Sequence, residues 1–154
     1  MVRVTARSVV VFCLVALSCL TIGLALATAE TISVGAGQKV VRILDLNADD
    51  EVSGRITVVG NDQSKDINFT VLGVNGETVA PTVRVVVSDF KFNAAQKGTY
   101  SLIFDNTQSL VDKTVSLNYE VRHYWFGMPQ EFVLMLIIVF IGVLGLVVYA
   151  KMKK

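Results

Sequence analysis

The sequence is poor in the residues that build most reactive sites. Its two cysteines, Cys13 and Cys19, lie in the first apolar stretch, and the roughly one hundred residues that follow have none. That middle region therefore has no internal disulfide, no cysteine metal site and no thiol nucleophile, and its stability must come from packing. The single histidine, His123, finds no second nitrogen or sulfur ligand in the middle with which to share a metal. No glycine-rich phosphate loop, no G-x-S-x-G and no H-E-x-x-H occurs. A Ser-His-Asp arrangement could draw on the many serines. His123, however, stands beside Tyr124 and Trp125 just before an apolar block, where an interfacial role fits better. No catalytic, cofactor or metal residue can be named, and the chain reads as non-enzymatic.

A basic excess is also missing. The net charge is +1, but Arg3, Arg7, Lys151, Lys153 and Lys154 sit at the two tips. Between Glu30 and Trp125 there are 9 Lys and Arg against 12 Asp and Glu, so the middle carries −3. Nucleic-acid binding needs a basic face for phosphates and is excluded as a partner class on that ground.

What is abundant is apolar sequence: 53% of residues are hydrophobic and the mean hydropathy is +0.57. The excess is concentrated in Ser8 to Ala27 and Phe132 to Ala150. The first block follows Arg3 and Arg7 and ends in Ala27-Thr28-Ala29, a small-x-small pattern, so residues 1–29 read as an export signal cut after Ala29. At about 20 residues the run also fits an uncleaved signal anchor. The second block runs 19 residues without a charge and predicts a transmembrane helix over 132–150. Tyr124, Trp125 and Phe126 before it and Tyr149 at its far end suit the headgroup level. Lys151, Lys153 and Lys154 form a basic tail, 151–154, expected on the cytosolic side. The expected topology is single-pass type I, with the middle region extracytoplasmic or luminal. Gly142 and Gly145 are three apart, so the small-xxx-small helix-pairing motif is absent.

In the middle region the apolar period is two. Val115, Leu117, Tyr119 and Val121 share one face, opposed by Ser116, Asn118, Glu120 and Arg122. Tyr100, Leu102 and Phe104 alternate likewise, as do Ile67, Phe69 and Val71. Further strands are expected near 31–34, 40–46, 55–59 and 83–92. Asn75-Gly76 signals a hairpin, and Gly35-Ala36-Gly37, Gly60-Asn61-Asp62 and Lys97-Gly98 mark other breaks. Six or seven short strands, each with one apolar face, predict an all-β antiparallel sandwich over 30–124. A linker, 125–131, then joins it to the helix. It is too short to be a stalk, which would keep the sandwich close to the bilayer.

Three segments invite a second reading. Asn68-Phe69-Thr70 is the one N-x-S/T sequon, with Asn68 and Thr70 on the outward face where a glycan could attach. Asp45, Asn47 and Asp49 imitate the start of a calcium loop. Asp50 replaces its glycine and Ile56 its closing glutamate, so the stretch to Glu51 reads as a solvated turn. Val85-Val86-Val87 is apolar on both faces and fits either a covered central strand or an exposed patch for a partner.

The run Gly98-Thr99-Tyr100-Ser101-Leu102-Ile103-Phe104-Asp105-Asn106, followed by Ser109, Lys113, Val115 and Leu117, resembles the end of a GOLD domain, the luminal β-sandwich of the p24 (emp24/gp25L) family. Asn68-Phe69-Thr70-Val71 with Asn75-Gly76-Glu77 is similar to its earlier strand and turn. The resemblance covers about 32–121 and rests chiefly on Gly98, Tyr100, Phe104, Asn106 and Lys113. It implies a GOLD-like sandwich that binds a protein partner, itself membrane-bound or exported, beside the lipid bilayer. It also implies an alternative, a p24-like cargo or sorting receptor. Apart from the resemblance, the predicted helix leaves open an accessory subunit of a larger membrane complex, held mainly through that helix. The chain departs from the family in lacking paired ectodomain cysteines, a coiled-coil segment before the membrane, and an aromatic or dilysine tail signal.

Overall fold

The computed structural model describes residues 27–59 and 66–152. The alternating segments form eight strands: β1 (Thr28–Val34), β2 (Lys39–Leu46), β3 (Glu51–Val59), β4 (Ile67–Leu72), β5 (Thr78–Val85), β6 (Val87–Asn93), β7 (Gly98–Asp105) and β8 (Lys113–Arg122). They make two four-stranded antiparallel sheets, ordered β1-β8-β3-β6 and β2-β7-β4-β5. The unit over 25–124 is compact in itself.

Alternation fixes which side chains enter the core. Ile32, Val34, Val52, Ile56, Val115 and Leu117 come from the first sheet, and Leu44, Leu46, Phe69, Val71, Tyr100, Leu102 and Phe104 from the second. Rings join the sheets: Phe69 lies 5.2 Å from Phe90, and Phe92 stacks on Tyr100 at 5.9 Å. A slip by one residue would turn each of these side chains to water, so burial specifies register.

Two glycines mark close approaches. At Gly54, in the middle of β3, a Cβ would stand 2.4 Å from the Asn118 carbonyl oxygen and 2.8 Å from the Phe90 ring. Gly98 opens β7 at φ +152°, which disfavours side chains, and a Cβ there would meet Val74 at 2.7 Å. The glycine of the family motif is thus required by backbone and space.

The expected sandwich is present, with eight strands among the described residues where six or seven are predicted. The difference arises at 83–92, where one strand is expected. The chain leaves one sheet after Val85 and enters the other at Val87, so β5 and β6 are separate edge strands. β1 begins at Thr28, and Thr28 and Ala29 pair with Tyr119 and Asn118 of β8. The predicted cleavage after Ala29 would remove two paired residues. The Asn75-Gly76 hairpin joins β4 and β5 as expected, with Gly76 at φ +77°. The Gly60-Asn61-Asp62 break, most of the signal segment with Cys13 and Cys19, and Lys153 and Lys154 lie outside the described residues.

A second unit takes in residues 125–152. The expected linker is not irregular. Two-residue strands β9 (Tyr124–Trp125) and β10 (Met128–Pro129) pair with each other, and Phe126 and Gly127 between them have φ +54° and +75°. Those positive angles are the signature of a tight two-residue hairpin turn. Helix α1 follows over Gln130–Met152. Among the described residues no helix is long and apolar enough to cross a membrane.

Candidate functional site

β8 runs from Lys113 to Arg122, and its end leads out of the sandwich. Lys113 lies at the other end of that strand, roughly 30 Å away at strand rise. A polar cleft opens at this distal end. It is lined by the starts of β4 and β8, the ends of β5 and β7, and the β7–β8 loop: Asp66, Ile67, Asn68, Arg84, Asp105, Asn106, Gln108, Ser109 and Lys113. Its cavity volume is about 30 Å³, room for a water molecule or two. A small-molecule pocket needs about tenfold more, so the cleft suits contact with a polar surface.

Register places its charges in a row. Lys39 of β2 lies opposite Asp105 of β7, Asp105 opposite Asn68 of β4, and Asn68 opposite Arg84 of β5. Lys39 Nζ stands 2.8 Å from Asp105 Oδ2. Arg84 pairs with Asp66, whose backbone carbonyl accepts from the ammonium of Lys113. Lys113 is buried at 3% exposure and is held there by Asp66. Burial pushes the Asp105 carboxyl up. Hydrogen bonds from Lys39 and Thr107 outweigh it and hold the group below its ordinary value.

Asn106 explains its own place in the motif. It is 2% exposed, and its amide Nδ2 donates to Val34 O, Gly35 O and Val111 O at 3.2, 3.1 and 2.9 Å. One side chain thereby fastens the β1–β2 loop to the β7–β8 loop. Tyr100 and Phe104 are fully buried, and the Tyr100 hydroxyl donates to Gln96 O at 3.0 Å. Gly98, Tyr100, Phe104, Asn106 and Lys113 therefore build the fold, and of them Asn106 and Lys113 also line the cleft. The half-buried or exposed groups at its rim, Asn68, Arg84 and Gln108, are the ones available for contact.

Apolar side chains crowd the same end of the sheets. Val86, Val87 and Val59 are 47%, 59% and 58% exposed, and Leu110 of the β7–β8 loop is 97% exposed. Val85 alone of the three consecutive valines is buried. The covered-strand reading of that run fails because the chain crosses between sheets there. Asn68 of the sequon does face outward, but it is half-buried inside a four-stranded sheet, and Thr70 Oγ1 is 2.7 Å from Thr82 Oγ1.

At the opposite end, sequence reasoning missed a contact. Asp50, expected in a solvated turn, is 1% exposed. Its Oδ2 accepts from the Asn47 N–H at 2.8 Å, and its Oδ1 stands 2.9 Å from His123 Nδ1. The positive φ of Asp49, 68°, turns the loop so that this carboxylate points inward. Among the described residues no cluster of three or more His, Cys, Asp or Glu could hold a metal. Trp125 is half-exposed and Phe126, at the hairpin tip, is 94% exposed. Lys151 is exposed in the last turn of α1, whereas nothing is described of the Tyr149 side chain.

The sequence matches the emp24/gp25L/p24 family/GOLD over residues 29–133. No curated protein matches it. Among solved structures, the chain is similar to the g-type lysozyme inhibitor PliG of Aeromonas hydrophila, at 14% identity over 64% of this chain and 88% of that one, TM-score 0.47. It is also similar to the Yersinia pseudotuberculosis-derived mitogen, at 12% identity over 66% and 91%, TM-score 0.48.

Proposed function

The chain belongs to the emp24/gp25L/p24 GOLD family, and from that premise we propose that it is a membrane-anchored, non-enzymatic interaction module whose exported sandwich binds a protein partner close to the bilayer. What supports this reading is the family match over residues 29–133 and, in the sequence, the charge-free run 132–150 that overlaps its end. In sequence, the 19 charge-free residues of 132–150 would cover about 29 Å at helical rise, close to a hydrocarbon core of roughly 30 Å. Phe132, Met135, Leu136, Ile137, Val139 and Phe140 are all exposed, which leaves this stretch of helix without a polar side to face water. A helix apolar all round belongs in lipid. Lys151, Lys153 and Lys154 hold its end in the cytosol and set the sandwich on the extracytoplasmic or luminal side. Tyr124 and Trp125, with Phe126 at the tip of a rigid turn, rest at the headgroups.

The partner engages the distal end. Arg84, Asn68 and Gln108 offer charge and amides, and Val86, Val87 and Leu110 offer apolar contact. A buried apolar centre with a polar rim is the composition of a protein interface. In a cell that glycosylates, a glycan on Asn68 would stand at this rim and bar the partner. Photo-crosslinking groups at Gln108 and Leu110 in intact membranes test the site. The expected result is an adduct of fixed mass whose yield falls in an Arg84→Glu variant. No adduct, or one indifferent to Arg84, would contradict it. The alternative, in which the helix is the main contact of an accessory subunit, predicts that scrambling 132–150 among apolar residues abolishes assembly.

A further inference from the structure

The two sheets present different outer faces. That of β1-β8-β3-β6 is laced by ion pairs: Arg55–Asp89 at 2.6 Å, Lys91–Glu51 at 2.8 Å and Arg122–Glu120 at 2.7 Å. That of β2-β7-β4-β5 carries bare apolar groups at its β2 edge, where Val41 and Ile43 are 45% and 65% exposed. β2 pairs with β7 on one side, and among the described residues no strand pairs with its other side. Edge strands are usually blunted by proline, a bulge, brevity or charge. β2 has no proline and no bulge over its eight residues, from Lys39↔Asp105 to Leu46↔Gly98, and its charges, Lys39, Arg42 and Asp45, are of both signs.

We propose that this edge is a self-association site, where β2 of a second copy pairs antiparallel with β2 about a two-fold axis at Arg42. The sequence of the edge is self-complementary in that register alone. Position 39 then faces 45, and 41 faces 43. Lys39 of each copy meets Asp45 of the other, and Val41 meets Ile43, each contact occurring twice as an isologous interface requires. Both kinds of pair stabilise strands when directly opposed. Arg42 meets its own copy, but each guanidinium is already held by Glu30 of its own chain, Nε to Oε1 at 2.6 Å. Centring the axis on Val41 sets Lys39 against Ile43. Centring it on Ile43 sets Val41 against Asp45. A shift by one residue opposes outer positions to core positions. The result is one eight-stranded sheet across two molecules. It meets the row of charges at the distal cleft only at Lys39, and it does not depend on the function proposed above.

Charge reversal tests it on the full chain in detergent micelles, with mass read by sedimentation or light scattering. The unaltered chain is expected to be a dimer. Asp45→Lys alone turns two attractions into two repulsions and should weaken dimerisation by about tenfold or more; Lys39→Asp does the same and also breaks the ion pair of Lys39 with Asp105 of its own chain. The double variant, built with Asp105→Asn so that the new carboxylate at position 39 faces none on β7, restores the pairs in swapped sense and should restore the dimer, which also excludes misfolding as the cause of the single losses. A chain monomeric at every concentration, a dimer indifferent to both single reversals, or a double variant that stays monomeric would each overturn the proposal.

Discussion

Tyr100→Phe isolates one atom in the centre of the sandwich. The ring stays, fully buried and stacked on Phe92. What is lost is the hydroxyl, which donates to Gln96 O at 3.0 Å and accepts from the Gln96 N–H at 3.3 Å. Each bond contributes on the order of 1 kcal/mol net, and the longer one contributes less, so the expected cost is about 1–2 kcal/mol. For a domain of this size that lowers the melting temperature by roughly 5–10 °C. The assay is thermal unfolding followed by far-ultraviolet circular dichroism in the β-sheet band, with hydrogen exchange at the Gln96 amide as the local readout. Faster exchange at Gln96 together with a lower melting temperature is the predicted pattern. Phe104→Tyr is the converse: Phe104 is fully buried, so the added hydroxyl should destabilise by a similar amount. If Tyr100→Phe melts like the unaltered chain, the tyrosine of the motif is there for its ring alone and the reasoning is wrong.

Gly54→Ala should cost about 2 kcal/mol, because the added carbon would press on the Asn118 carbonyl and β3 or β8 must move; a denaturant titration reads it. Asp105 has its folded-state value lowered, so its contribution to stability is present above the ordinary carboxylate range and is lost as pH falls through that lowered value. Asp105→Asn should remove part of the loss of stability as pH falls below the ordinary carboxylate range, measured as melting temperature against pH. His123→Ala removes the imidazole whose Nδ1 stands 2.9 Å from the buried Asp50 carboxylate and should lower stability in a denaturant titration, with partner crosslinking retained.

The strands were legible because one face of each is buried, and burial imposes a period of two on the sequence: Tyr100, Leu102 and Phe104 all point inward. The motif residues were legible for the same reason, since Asn106 and Gly98 answer local needs that few other residues meet. Three features were hidden. The split of 83–92 turns on a crossing between sheets at Val86, and an apolar residue there reads as strand in either case. The burial of Asp50 depends on a left-handed Asp49 and on a histidine far along the chain, and no local pattern reports such a pair. The distal cleft joins residues from five segments, which only the strand order brings together. The turn at Phe126-Gly127 was open to reading, because a glycine in the second turn position is its signal.

Membrane topology is the most direct test of the whole account. In a background of Cys13→Ser and Cys19→Ser, Lys97→Cys and Lys154→Cys each supply one thiol, the first at an exposed position of the sandwich and the second in the tail. A membrane-impermeant maleimide added to intact cells or sealed vesicles should reach position 97 from the non-cytosolic side and position 154 only after permeabilisation. Labelling of position 97 from the cytosolic side, or its release in soluble form with α1 intact, would contradict an exported sandwich held by a C-terminal anchor.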